Sequence, residues 1–473
     1  MKKIVGRTEE VTIMDRITNS EKAEFIVLYG RRRVGKTYLV KKYYDEKFTF
    51  HLTGMADATT HIQLSNFVSA YRQVADLEKA KIPKTWFEAF DLLRKLIDSK
   101  GKELCVVFLD EMPWLDTPRS KFIMALEHFW NSYGAWKTNL KLIACGSAAS
   151  WMINKLINNH GGLHNRVTRR LHIKPFTLKE TEEFFAYKHI KFERYQIVEL
   201  YLALGGIPYY LEEIEGGLSV AQNIDKLYFS KTGLLKNEYK NLFRSLFRNA
   251  DNHEAIVNTL ARKAKGLLRD EIITLAGLPN GGNTTKALDE LELSGFIRKY
   301  EPFKRKSRNS LYQIIDPFVL FHHQFVKDTK AEGEGSWMSF AGTSKYKTWS
   351  GYAFENICLI HISSIKKALG INGIYSENSS WRSNNKEENA QIDLLIDRKD
   401  GVISVCEMKF SNDEFEVTKE YAEKLKRKLR VFRTESKTKK PLYLTLITTF
   451  GSQKNSHYLG LVQNELTMED LFW

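Results

Sequence analysis

A chain of 473 residues with 43 % apolar and 12 % aromatic side chains can bury packed cores, which excludes a disordered polypeptide. At roughly 150 residues per domain, about three domains are expected. The 72 Lys and Arg exceed the 57 Asp and Glu, a formal net charge of +15 that points to a polyanionic partner such as DNA.

Four scattered cysteines, Cys105, Cys145, Cys358 and Cys406, exclude a disulfide scaffold and a CxxC metal site, and they fit a reducing compartment. The start Met1-Lys2-Lys3-Ile4-Val5-Gly6-Arg7 lacks the apolar region of a signal peptide. No run approaches the ~18 apolar residues of a membrane span. A cytoplasmic chain without a membrane partner is therefore expected.

In the first block, 1–170, continuous apolar runs (Phe25–Tyr29, Cys105–Leu109, Leu140–Cys145) alternate with longer helical patterns, as in a parallel sheet covered by helices on both faces. After the first run, Gly30-Arg31-Arg32-Arg33-Val34-Gly35-Lys36-Thr37 fits G-x-x-x-x-G-K-[ST] in its strand-loop-helix context. The glycines let backbone N–H groups converge on phosphate oxygens near a helix start. Lys36 is expected to reach the β- and γ-phosphates of ATP, and the Thr37 hydroxyl to ligate Mg2+. The second run ends at Asp110-Glu111, where Asp110 would hold the metal's water shell and Glu111 would orient the attacking water. The third ends at Ser147, which either senses the γ-phosphate or caps the helix that follows. Arg166, Arg169 and Arg170 read as a loop before Pro175-Phe176, either a source of an arginine finger, in cis or in trans, or a solvated basic turn.

The Val5-Gly6-Arg7 start, the Tyr29–Thr37 loop, Asp110-Glu111 and Gly205-Gly206-Ile207-Pro208 together resemble the prokaryotic archaeal-type ATPases, near the STAND and AAA+ branches of the P-loop NTPases. The resemblance covers residues 1 to about 245. It implies that Val5, Gly6 and Arg7 lie near adenine, with the nucleotide-binding stretch running from Gly30 through Tyr38. It also implies that a helical lid, 171–245, closes over the nucleotide through the helix holding Pro208. A homo-oligomer is compatible with it.

Within 246–330 the pattern is helix, helix, turn, helix and hairpin, a winged-helix arrangement. Asp270–Ile273 starts the second helix, Gly277–Gly282 forms the turn, and Thr284–Ser294 is the third helix, ended by Gly295. Asn283, Thr284, Thr285 and Lys286 are placed to contact phosphates or bases, and the wing carries Lys304, Arg305, Lys306 and Arg308. Leu288, Leu291 and Leu293 instead suit a packing surface, so DNA contact and an architectural role both stand. His322-His323, between Phe321 and Phe325, reads as core or interface.

The last block, 331–473, joins two apolar strands, Gln391–Ile396 and Val405–Lys409, through a turn containing Asp400-Gly401. Period-two alternation puts Glu407 and Lys409 on one face and lets Asp393 converge with them across the hairpin. Two carboxylates at a strand end repel unless they share a divalent cation. This D…E-x-K grouping resembles the PD-(D/E)XK restriction-endonuclease-like fold, with Ile392 in place of the proline. That resemblance implies Mg2+ on Asp393 and Glu407, Lys409 beside the reacting water, and Glu355 as the acid on the preceding helix. The basic run Lys424–Arg430 reads as a solvated helix face or the flank of a DNA groove.

The expected fold class is α/β: a P-loop NTPase parallel sheet with a helical lid, a winged helix and a C-terminal restriction-endonuclease-like α/β domain. The expected function is an ATPase coupled to DNA binding and cleavage in defence or mobile-element biology. The alternatives are a STAND-type switch that binds DNA or protein without cutting, and a DNA-dependent motor or loader.

Overall fold

The computed structural model describes residues 4–75, 80–159, 161–247, 250–263, 266–304, 310–330, 332–383, 385, 388 and 390–473. It divides into two compact units, Met1–Pro175 and Phe176–Trp473.

The first unit is built on a five-stranded sheet in the order β2-β3-β4-β1-β5, every neighbouring pair parallel. Its strands are β1 (Glu24–Tyr29), β2 (Phe50–Thr53), β3 (Cys105–Asp110), β4 (Leu140–Gly146) and β5 (Arg169–His172). All residues of β3 and β4 and nearly all of β1 are buried, as continuous apolar strands between two helical layers must be. One face packs on the Trp86–Ser99 and Phe122–Ser132 helices through Trp86, Phe90, Phe122 and Phe129. Trp86 and Phe122 meet edge to face at 4.9 Å, the favoured geometry for ring quadrupoles.

Two expectations are corrected here. Arg169 and Arg170 are not in a loop but in the edge strand β5, which runs past the expected boundary at 170 to His172. The stretch 171–245 is therefore not wholly helical, since its first two residues complete the sheet. Gly30, directly after β1, is required by this strand: at φ 144 a Cβ would sit 2.2 Å from Ile173 O.

Apart from residues 171–175, which belong to the first unit, the expected lid, winged-helix and C-terminal blocks fall inside the second unit. It opens with helices Leu178–Tyr187 and Arg194–Leu204. Gly206 ends this pair: its carbonyl accepts from Phe176 N–H at 2.6 Å, and a Cβ there would lie 1.8 Å from Phe176 O. Helices Asp251–Ala261, Arg269–Ala276 and Gly282–Leu293 then surround a three-stranded antiparallel sheet, β6 (Leu267–Leu268), β8 (Leu311–Ile314) and β7 (Ile297–Tyr300), in that order. Arg305, Lys306 and Arg308 lie outside the described residues; Lys304 sits over the Phe303 ring, 5.2 Å from its centroid.

The rest of the unit holds a five-stranded sheet ordered β13-β12-β11-β10-β9: β9 (Ser376–Arg382), β10 (Gln391–Arg398), β11 (Ile403–Lys409), β12 (Leu442–Thr448) and β13 (Asn464–Thr467). β9, β10 and β11 are antiparallel neighbours, whereas β11, β12 and β13 are parallel. A parallel β11–β12 pair needs a crossover, which the Lys419–Ser436 helix supplies. The helix that carries Glu355, Ser344–Ile360, is followed by Ile362–Ala368, with the break at His361. Among the described residues no helix is long and apolar enough to cross a membrane.

Candidate functional site

The phosphate loop joins β1 to the Lys36–Tyr43 helix. Gly30 (φ 144), Arg33 (φ 70) and Gly35 (φ 86) all have positive φ, the backbone alternation that shapes an anion-binding concavity. Lys36 is buried, and its Nζ donates to Gly30 O (3.0 Å), Arg31 O (2.9 Å) and Ser147 Oγ (3.0 Å). Burial pulls its pKa down, opposed by the acidic groups of Cys145, Glu111 and Asp110. Thr37 Oγ1 donates to Asp110 Oδ1 at 3.1 Å, and Asp110 Oδ1 also accepts from Glu111 N–H at 3.0 Å. Burial, and then the Glu111 charge, push the Asp110 carboxyl above its usual range.

Glu111 takes a left-handed conformation (φ 44, ψ 44) at the end of β3, uncommon for a side chain of this size and typical of functional positions. Ser147 fixes its carboxylate: Oγ donates to Oε1 at 2.8 Å, and the Ser147 N–H lies 3.4 Å from Oε2. The Ser147 hydroxyl thus accepts from Lys36 and donates to Glu111. It does not cap the next helix, Ala149–Met152, whose N-cap is Ala148.

Gly6 (φ 62) and Arg7 (φ 59) bend the N-terminal segment so that the buried Arg7 guanidinium donates to Val34 O at 2.9 Å, tying it to the phosphate loop. Val5 is half-buried, Arg31 and Val34 are buried, Arg33 is half-buried, and Arg32 and Tyr38 are exposed. Arg166 is exposed before β5, and Arg169 lies 3.8 Å from Glu24, at the far end of β1 from the loop. Pro208 begins the short Pro208–Leu211 helix of the second unit. His172 escaped sequence reasoning: its ring stacks on Tyr29 at 4.8 Å, and burial, with Lys174 and Lys36 nearby, lowers its pKa to about 4. Nothing local marked it, because only strand pairing places His172 beside Tyr29.

Thr37 Oγ1 and Asp110 Oδ1 are hard oxygen donors beside a buried lysine, the donor set that suits a magnesium–triphosphate ligand.

The second unit gathers Glu355, Asp393, Glu407 and Lys409. The β10–β11 ladder ends at Leu394–Cys406, one residue short of Asp393 and Glu407, and the β9–β10 register shifts between Ile392 and Leu395. Such an irregularity re-aims the side chain beside it. Asp393 Oδ1 accepts from Gln391 Nε2 at 2.8 Å, and burial together with the Glu407 charge raises its pKa. Glu355, on the Ser344–Ile360 helix, is pushed up to about 8 by burial and then by the Asp393 charge.

Glu407 behaves oppositely. Burial alone would raise it, but Lys428 and Lys409 hold it down at about 2. Lys428 Nζ lies 2.6 Å from Oε2 and Lys409 Nζ 3.3 Å from Oε1, while Tyr421 Oη donates to Oε1 at 2.5 Å. Tyr421 and Lys428 are seven residues apart, two turns along one face of the Lys419–Ser436 helix. The reading of Lys424–Arg430 as one solvated face is corrected at this residue: Lys428 turns inward, its side chain 13 % exposed, against 30 % for Lys409. Its signal was present in the seven-residue spacing from Tyr421 but was masked by the basic residues around it.

The expected magnesium ligands Asp393 and Glu407 are acidic oxygens of a suitable kind. Among the described residues, however, no three His, Cys, Asp or Glu side chains are grouped closely enough to hold a metal. Glu407 is bonded by two ammonium groups and a phenol.

In the helical block, Thr284 is also corrected as a DNA contact. It is buried and its hydroxyl donates to Pro279 O at 2.7 Å. Thr285 accepts from Arg269 at 3.0 Å, while Asn283 and Lys286 are exposed. Leu288 and Leu291 are buried, as a packing surface requires. His322 and His323 pack with Tyr239, which stacks on His322 at 4.1 Å and has its hydroxyl 2.6 Å from His323 Nε2.

Comparison with known proteins assigns residues 4–214 to a family described as an ATPase domain predominantly from Archaea. An uncharacterized protein of Methanocaldococcus jannaschii is 27 % identical over 370 residues, 77 % of this chain and 79 % of that one. An uncharacterized ATP-binding protein of the same organism is 54 % identical over 43 residues, 9 % of this chain and 73 % of that one. Among solved structures, a Walker-type ATPase of Pyrococcus abyssi matches with a TM-score of 0.47 at 20 % identity, covering 68 % of this chain and 96 % of that one. The ORC2 protein of Aeropyrum pernix in its ADPNP–ADP complexes matches with a TM-score of 0.34 at 15 % identity, covering 66 % and 91 %. The phosphate loop and its parallel sheet thus fall within the matched residues, and over 4–214 the chain carries an archaeal-type ATPase domain.

Proposed function

We propose that this ATPase is magnesium-dependent and couples ATP turnover to binding and cleavage of DNA, with the cleavage site at Glu355, Asp393, Glu407 and Lys409. In the first unit Lys36 would exchange its loop carbonyls for phosphate oxygens, and Thr37 and Asp110 would hold the Mg2+. Glu111, steered by Ser147, would orient the water that adds to the γ-phosphorus as the β–γ bridging bond breaks. The helix holding Pro208 would close over the nucleotide, and Arg166 is the candidate finger in cis or in trans, the latter within a homo-oligomer.

The three helices and the β6-β8-β7 sheet are read as a winged helix whose exposed Asn283 and Lys286 meet a DNA backbone. In the second unit Asp393 and Glu407 would hold a divalent cation, which polarises a phosphodiester for hydrolysis when bound. Lys409, the more accessible of the two cations on Glu407, would face the phosphate. The observation that carries this reading is the placing of Asp393 and Glu407 on neighbouring strands, each one residue beyond the last β10–β11 pair, with Lys409 Nζ 3.3 Å from Glu407.

A nicking assay on supercoiled DNA with Mg2+ and ATP tests it. Wild type should convert circles to the nicked form, while Asp393→Ala and Glu407→Ala should not, with ATP turnover intact in both. Absence of cutting by wild type on supercoiled, linear and single-stranded DNA would favour a switch that binds without cutting. The engagement of Glu407 by Lys428 and Tyr421 is the observation on the side of that second reading.

A further inference from the structure

The β7–β8 hairpin, for which the sequence leaves DNA contact and an architectural role both open, is bonded into the last sheet and the helix beside it. Past β7, Phe303 N–H donates to Ser380 O at 2.8 Å, and Pro302 bridges Ser380 in β9. The Phe303 ring sits in the core of the β9–β13 sheet, 5.2 Å from Phe432. β8 holds the Ser344–Ile360 helix twice: Gln313 Nε2 donates to Tyr352 Oη at 2.7 Å, and Asn356 Nδ2 donates to Ile314 O at 3.2 Å. Arg298, opposite Gln313 in the β7–β8 ladder, completes the series, with Nε and Nη2 donating to Gln313 Oε1 at 3.2 and 2.9 Å. Its guanidinium also lies over the Tyr300 ring, 4.6 Å from the centroid.

Glu355 stands between the two bonded positions, three residues after Tyr352 and one before Asn356. Residues three apart share a helix face, so the Tyr352 bond fixes the rotation of the face that bears Glu355. A glutamine is suited to the middle place because its carbonyl accepts from the guanidinium while its amide donates to the phenol.

We propose that Arg298, Gln313 and Tyr352 are positioning residues for the carboxylate cluster, through which the β7–β8 hairpin sets the Glu355 helix against β10 and β11. This rests on the cleavage reading above. The hairpin then works inward, its side chains orienting acids instead of reading DNA. A reacting geometry displaced by about 1 Å can cost two orders of magnitude in rate, so loss of these bonds acts on turnover.

The test uses the full chain with Gln313→Leu, Tyr352→Phe and Gln313→Glu. Glu keeps the acceptor for Arg298 and can accept from the Tyr352 hydroxyl. Gln313→Leu and Tyr352→Phe should lower the nicking rate at saturating DNA by about tenfold or more. DNA affinity should change less than about twofold, and Gln313→Glu should restore the rate to within about threefold of wild type. Weaker DNA binding at an unchanged saturated rate would overturn the proposal and make the hairpin a DNA wing. If wild type cuts no DNA, the cleavage reading fails by itself, and amide hydrogen exchange over 344–360 still decides the positioning claim. Faster exchange in Gln313→Leu and Tyr352→Phe, reversed in Gln313→Glu, supports it; unchanged exchange in the two disrupting variants overturns it.

Discussion

The two candidate sites place lysine beside carboxylates in opposite ways. In the ATPase domain Lys36 is held by neutral acceptors, two carbonyls and a hydroxyl, while Asp110 and Glu111 are held by hydroxyls and backbone N–H groups. In the second unit Lys428 and Lys409 bond Glu407 directly. A neutral acceptor steadies an ammonium without cancelling its charge, so Lys36 keeps its attraction for an incoming polyanion. A carboxylate cancels it. The first site is therefore prepared for triphosphate, whereas the second must release an internal ion pair before Glu407 can serve a cation.

The comparison breaks most plainly at Lys36. Lys36→Ala should weaken ATP binding, read by titration calorimetry, by about a hundredfold or more, since a charge-assisted phosphate contact is lost from a buried position. DNA binding by the second unit should persist in the absence of nucleotide. Retention of ATP affinity would mean that Lys36 is structural in the way Lys428 is.

Lys428→Met sharpens the other side. Removing one partner of a buried ion pair typically costs about 3 kcal/mol, because the remaining charge is left uncompensated. Urea unfolding of the second unit should show that loss, and adding Glu407→Gln should recover much of it. A loss below about 0.5 kcal/mol would class the contact with exposed pairs.

His361 supplies the smallest effect and a pH dependence independent of either site. Its Nε2 accepts from Leu178 N–H at 3.0 Å, its Nδ1–H faces Ile357 O at 2.8 Å, and burial lowers its pKa to about 4. The unfolded chain, with a histidine near 6.5, takes up the proton first on acidification. This contribution is therefore complete above pH 6.5 and is lost as pH falls toward and through 4, by about 2 kcal/mol at pH 5. Urea unfolding of His361→Gln at pH 7.5 and pH 5 should show a correspondingly flatter response than wild type.

Legibility in the sequence followed locality. The phosphate loop was readable because strand, glycines, lysine and threonine are contiguous, and β3, β4, β10 and β11 because their apolar runs are long or alternate. β2 and β5 were not, since four-residue strands gain their identity from neighbours. Ser147 directly follows β4, one residue past its end, but its double contact with Lys36 and Glu111 spans more than a hundred residues on one side. Arg7 meets Val34 by the same long-range closure. In the second unit the motif yielded Glu407 and Lys409, whereas Lys428 depended on which way one helix rolls, a matter of packing.

The crossover between β11 and β12 also sets an order of assembly. Asp393, Glu407 and Lys409 all precede the Lys419–Ser436 helix in the chain, and a parallel strand pair forms only after its connection has closed. During synthesis the acids thus emerge before Tyr421 and Lys428, the groups that steady Glu407. A nascent chain stopped short of this helix would hold the acids without the contacts that orient Glu407.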